Sequence, residues 1–232
     1  PYSSWIIEAD EKAQKVIPFC SLDMGAKFVK SVLPYRERKV KILNGVHTMS
    51  VLAGYNAGFK IVRDMVNDET FKAYIDRGLN EEILKTIDLD ENELKTFANS
   101  VLERFNNPFI DHKLLDISLN SVAKFKARCL CSLLDYYNKF EKVPSVLSFA
   151  FAALINFYED FENKDYPVND VESVLDFFRN KHGDLVFDVL ANVDFWGEDL
   201  TKIDGLYEKV KGYFDSIKAL GINKAMEKLL NE

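Results

Sequence analysis

Cysteine is scarce in this chain: three among 232 residues. An odd and small number excludes a disulfide framework, and the three thiols fit a reducing, cytoplasmic setting. Glycine (10) and proline (6) are also sparse, so few residues are available to break regular structure. A basic excess is missing as well. Lys and Arg number 30 against 37 Asp and Glu, a net charge of −7. Nothing sequence-wide neutralises phosphates, which argues against a nucleic-acid partner. No apolar run reaches the roughly 18 residues that a membrane-spanning helix needs. The first residues, PYSSWIIEAD, lack the basic stretch and long apolar run of a signal peptide. What is abundant is large apolar side chains: 18 Phe, 10 Tyr and 47% hydrophobic residues overall. Many bulky side chains and few breakers predict long helices packed on one another, in a chain long enough to bury a core.

Residues 1–22 read as one short strand, Trp5–Ile7, followed by loop. A lone strand has nothing to pair with, so its partners are expected upstream of a chain that begins at Pro1. From residue 23 onward helical periodicity takes over. A long helix is expected over 36–57, with Val40, Leu43, Val46, Met49 and Val51 at spacings near three and four and with Gly45, Gly54 and Gly58 as points of close packing. Asn80 and Asp90 read as helix N-caps, and Pro108 ends the helix that closes with Arg104. Further helices are expected over 120–140, from Pro144 through SVLSFAFAALINFYEDF, and over 170–180, 183–193, 206–220 and 223–230. The fold class is all-α: a multi-helical domain at 23–232 behind a strand remnant at 1–22.

Two clusters carry polar chemistry. In RKVKILNGVHTMS, Lys39, Asn44 and His47 stand at offsets 0, +5 and +8. At about 100° per residue they lie near 0°, 140° and 80°, one broad helix face. A desolvated lysine serves as general acid or base, an amide steadies a developing oxyanion, and a neutral imidazole holds a hydroxyl. The same three residues also suit a solvated lysine beside two satisfied helix polar groups. The second cluster, 104–128, gathers His112, Asn120, Lys124 and Arg128 among apolar spacers. Lys124 and Arg128, an i, i+4 pair, form either an anion site or a solvated basic face. Cys129 and Cys131 lack further ligands at metal spacing and read as apolar cysteines; Cys20 is solitary and His182 reads as a cap. No glycine-rich dinucleotide turn, Walker loop, HExxH or GxSxG occurs.

The run KVKILNGVHTMSVLAGYNAGFKIVRDMV, followed by ERFNNPFIDHKLLDISLNSVAKFKAR, resembles the C-terminal helical domain of the mannitol dehydrogenase family of polyol-specific long-chain dehydrogenases. Lys39, Asn44 and His47 match its K-x(4)-N-x-x-H helix. The second block resembles the version found in the family's uronate reductases, with Cys131 where relatives tend to carry proline. The opening PYSSWIIEAD resembles the segment that joins the cofactor domain to the helical domain. The resemblance implies that this chain is the substrate half of an NAD-dependent, metal-free oxidoreductase interconverting D-tagaturonate and D-altronate. It implies that Lys39, Asn44 and His47 are catalytic, that His112, Asn120, Lys124 and Arg128 contact the sugar acid, and that NAD is bound mainly by a Rossmann-type domain lying upstream. Fructuronate reductase, mannitol 2-dehydrogenase and mannitol-1-phosphate 5-dehydrogenase are the alternatives inside the family. A non-catalytic helical interaction module is the alternative outside it, and an upstream Rossmann half in the reading frame discriminates against it.

Overall fold

The computed structural model describes residues 5–16, 25–180 and 183–232; Cys20 and His182 lie outside them. The strand at the N-terminus finds its partner within the chain. β1 (Trp5–Glu8) pairs in parallel with β2 (Ala26–Val29), Trp5 opposite Ala26 and Glu8 opposite Val29, with the short helix α1 (Glu11–Val16) between them. The expectation of an unpaired strand therefore fails. AKFV at 26–29 is too short to display a period, and it sits where helix was expected. The Glu8 carboxylate accepts the Val32 N–H at 2.8 Å and ties the sheet to the first long helical segment.

That segment begins at Leu33 and runs without a loop to Asn56. It consists of α2 (Leu33–Arg38), a π-helical turn π1 (Lys39–Asn44) and α3 (Gly45–Asn56). Then come α4 (Val62–Asn67) and α5 (Glu69–Arg77), which passes into a second π turn, π2 (Gly78–Ile83), and then α6 (Glu91–Phe105). Asp90 caps α6 as expected, accepting from the Asn92 and Glu93 N–H groups. Asn80 caps nothing. It lies inside π2, because the helix already began at Asp68, whose side chain accepts the Phe71 N–H. Beyond Pro108 follow α7 (Leu114–Ser118), α8 (Ser121–Phe125), a third π turn π3 (Lys126–Leu130), α9 (Cys131–Phe140) and α10 (Ser145–Tyr158). The chain ends with α11 (Glu172–Arg179), α12 (Leu185–Leu190), α13 (Val193–Trp196), α14 (Leu206–Leu220) and α15 (Ile222–Leu230).

The core is built around α10, which packs between α3 and α14. Its sequence SVLSFAFAALINFY carries no charge, and a helix apolar on all sides belongs in the interior. Phe149, Phe151, Phe157 and Leu154 are fully buried. Small residues on α3 allow close approach: a Cβ at Gly54 would lie 2.3 Å from Met65 Sδ. Gly58 serves a different purpose. Its φ of +102° turns the chain out of α3, in open space, where glycine avoids the Cβ clash. Among the described residues no helix is long and apolar enough to cross a membrane.

Candidate active site

The π turn decides how the first cluster is presented. The Gly45 N–H reaches back five residues to the Val40 carbonyl, the bonding pattern of a π turn, a feature frequent at functional sites. Residues five apart then stand about one above the other, so Lys39 and Asn44 come into line instead of the 140° apart that α geometry gives. His47, three residues on in regular α3, continues the stripe. Gly45 holds this turn against its neighbour, π3. A Cβ there would be 3.3 Å from the Arg128 carbonyl, and the Cys129 thiol donates to the Gly45 carbonyl at 3.5 Å.

Lys39 is exposed, not desolvated as a proton-transfer lysine is expected to be. It lines a cleft of about 570 Å³ with Tyr35, Arg36, Leu43, Phe97 and Arg104. The buried lysine of this helix is Lys41, which bonds to Asp135, Glu37 and the Thr86 carbonyl. Arg38, also in the cleft wall, is committed to Glu93 at 2.6 Å and lies over the Phe97 ring. Among the described residues neither Lys39 nor Asn44 makes a side-chain hydrogen bond or ion pair.

His47 stacks on Phe105, ring centroids 3.9 Å apart and planes 12° from parallel, with His112 edge-on at 5.6 Å. Its Nε2 is buried and has no hydrogen-bond partner. Burial, then the His112 ring and the Arg128 and Arg104 guanidinium groups, pushes its pKa down to about 3, so the imidazole is neutral near pH 7. Arg128 belongs to the same neighbourhood. It donates to Thr48 Oγ1 at 3.3 Å, half-buried and without a carboxylate partner among the described residues; burial lowers its pKa.

The rest of the second cluster divides. His112 reaches His47, held by a loop that Arg63 staples through the Asn107 and Pro108 carbonyls and the Asp111 carboxylate. Lys124 donates to the Ile117 carbonyl at 2.8 Å, and burial and Arg128 lower its pKa against the pull of Asp170. Asn120 has φ 53° and ψ 48°, a left-handed conformation that Asn tolerates well, which gives the residue a backbone role whether or not its side chain meets a ligand. Cys129 is buried as expected, while Cys131 is partly exposed. Sequence reasoning passed over Phe105 and Thr48 because one reads as an apolar core position and the other as an ordinary helix residue. Among the described residues no three His, Cys, Asp or Glu side chains converge as a metal site would require.

The mannitol dehydrogenase C-terminal domain matches residues 31–218. Altronate oxidoreductase of Yersinia pestis is 36% identical over 233 residues, covering 96% of this chain and 48% of its own length. That of Bacteroides thetaiotaomicron is 36% identical over 234 residues, covering 97% and 49%, and that of an Escherichia coli strain is 40% identical over 212, covering 87% and 44%. The chain therefore spans about half the length of these curated relatives. Among solved structures, Pseudomonas fluorescens mannitol 2-dehydrogenase, in a ternary complex with NAD and D-mannitol, superimposes with a TM-score of 0.80 at 19% identity, over 91% of this chain and 44% of that one. A D-sorbitol dehydrogenase does so at 0.72 and 18% identity, over 88% and 42%. Those structures share the helical fold that the composition predicts, and the domain match fixes the relationship: this chain belongs to the mannitol dehydrogenase family, as its C-terminal helical domain.

Proposed function

We propose that this chain is the substrate half of an NAD-dependent oxidoreductase that catalyses D-tagaturonate + NADH + H⁺ ⇌ D-altronate + NAD⁺. The observation that carries the substrate is its likeness, over nearly its whole length, to proteins named altronate oxidoreductase. The donor set agrees with the proton side of such a reaction. An ammonium on a cleft, an amide one π turn away, and a buried imidazole nitrogen lacking a partner suit a carbonyl flanked by hydroxyls. A glycine-rich phosphate cradle is not in this sequence, so NAD would be held chiefly by the half that the longer relatives possess, with the Lys39 cleft facing it. When bound, NAD supplies or takes the hydride at the substrate carbon.

The remaining work falls to this chain. Lys39 Nζ gives a proton to the carbonyl oxygen on reduction and takes it back from the hydroxyl on oxidation. The Asn44 amide donates to that oxygen as charge develops. His47, kept neutral, bonds and orients an adjacent hydroxyl. Arg128 pairs with the uronate carboxylate, a charge that needs a partner away from water. Lys124 adds to the potential beside it, and His112 and Asn120 complete the contacts.

The test is a substrate panel on the full-length protein, with NADH oxidation followed for tagaturonate, fructuronate, fructose and mannitol 1-phosphate. Tagaturonate should be reduced fastest. Arg128→Met should raise KM for tagaturonate by about tenfold or more, the worth of a charged hydrogen bond, and change fructose turnover much less. Preference for an uncharged ketose, or equal losses on both, refutes the uronate reading.

A further inference from the structure

We propose that Phe105 is a positioning residue for this reaction: its ring clamps the His47 imidazole so that the imidazole meets a substrate hydroxyl in a single orientation. The proposal rests on reading His47 as the group that binds the hydroxyl, and it assigns a role to a residue that otherwise counts as core.

The geometry is that of a clamp. A histidine on a helix has a broad, nearly two-fold torsion about its ring, and ordering such a side chain on binding costs entropy. At 3.9 Å and 12° the Phe105 ring covers one whole face of the imidazole, while His112 meets it edge-on at 5.6 Å. The ring is thus ordered before any ligand arrives. Its Nε2 is buried and without a partner. A leucine in place of Phe105 would fill the core but could not hold a flat ring flat. Phe105 comes from the last turn of α6 and His47 from α3, so the clamp spans two elements. The adjoining Arg104 lines the Lys39 cleft, placing the clamp at that cleft's border. Charges facing the imidazole are Arg104 from α6 and Arg128 from π3, with the ring of His112 from the loop after α6.

A double-mutant cycle in the full-length enzyme tests this, because two residues acting as one unit are non-additive. With the best substrate of the panel, Phe105→Leu should lower kcat/KM by about tenfold, the upper worth of a neutral hydrogen bond. In the His47→Ala background the same change should cost under about twofold. Phe105→Tyr, which keeps the ring, should restore near wild-type values. Equal losses in both backgrounds would make Phe105 a core filler and overturn the proposal. A second arm needs no turnover. In NMR spectra of the 232-residue chain, the His47 ring protons should be displaced upfield by the stacked phenyl ring. The displacement should persist in Phe105→Tyr and vanish in Phe105→Leu. Its absence from the wild-type spectrum also overturns the clamp. Should Phe105→Leu fail to fold, the wild-type and Phe105→Tyr spectra still decide. Should no uronate or ketose be turned over, the catalytic reading fails while this arm still answers for the clamp.

Discussion

Two lysines, two residues apart, differ sharply in their surroundings, and the proposed proton-transfer role falls to the exposed one. Lys39 is exposed on the cleft and its side chain makes no hydrogen bond or ion pair among the described residues, whereas Lys41 is buried, its side chain 3% accessible, between Asp135 and Glu37. Burial opposes the Lys41 charge, yet the hydrogen bonds to Asp135 and Glu37 outweigh it and raise the pKa. Lys39→Ala in the full-length enzyme should therefore lower kcat by at least about 10²-fold, the scale of a positioned general acid, with an unchanged melting curve. Lys41→Met should do the reverse. It should cost about 1–3 kcal/mol of stability, because hydrogen bonds to a charged group are lost, and leave kcat of the folded fraction nearly intact. Swapped outcomes would show the family motif to be misplaced on this helix. That Lys39, Asn44 and His47 share one helical stretch was legible from residue spacing, while the catalytic roles proposed for them come from the family resemblance and not from the spacing. The exposure of Lys39 and the burial of Lys41 were not legible, since both stand in the charged run Arg36–Lys41 and only the packing of α9 against it, through Asp135, distinguishes them. His47 makes a separate prediction. In the unfolded chain it takes up its proton near pH 6.5, in the folded chain only near 3. Between those values the unfolded state binds more protons, so stability falls as pH falls. Urea melts from pH 7 to 4 should show a steeper loss for the wild type than for His47→Asn. Parallel curves would mean that the imidazole is not desolvated.

At the scale of elements, helices with a side-chain cap or a strong apolar pattern were readable: α6 behind Asp90, the wholly apolar α10, and α14. The π turns were not. Each sits inside a helical pattern, and nothing in KVKILN, GLNEEI or KARCL departs from α composition; what holds π1 and π3 is their mutual contact at Gly45, a tertiary effect. The cap of α10 was equally hidden. Pro144 at its N-cap offers no side-chain acceptor, and the role passes to Glu82, 64 residues away in sequence, whose carboxylate accepts from Val146 at 2.7 Å and Leu147 at 2.9 Å. Burial raises the Glu82 pKa, and the backbone N–H groups pull it back toward the charged form. Glu82→Ala strands two buried donors, each costing about 1–3 kcal/mol, at the start of the helix that organises the core. It should destabilise the fold by about 2–5 kcal/mol, with Glu82→Gln intermediate because its oxygen still accepts. Thermal melts that place both variants within error of wild type would show water to be an adequate substitute.

At the scale of the whole molecule the all-α class followed from few breakers and many aromatics. The pairing of β1 with β2 did not, because four-residue strands 17 residues apart leave no periodic trace. The same scale governs what the chain can do by itself. The proton transfer proposed for Lys39 needs the lysine shielded from water so that its interactions with the reacting oxygen are strong, yet here the lysine faces an open cleft. Hydride transfer needs a nicotinamide held against the substrate carbon, and the usual device for gripping its pyrophosphate is a glycine-rich turn at a helix N-terminus, which this sequence lacks. The relatives are about twice as long. The half they have in addition is where both deficits would be met: a cover for the cleft and a seat for the dinucleotide. Residues 1–232 alone should then fold, as circular dichroism and a cooperative melt would show, but should not oxidise NADH in the presence of tagaturonate at any protein concentration. The full-length protein under the same conditions should. Turnover by the isolated chain would mean that the Lys39 cleft binds the cofactor unaided and that proton transfer proceeds from an uncovered lysine.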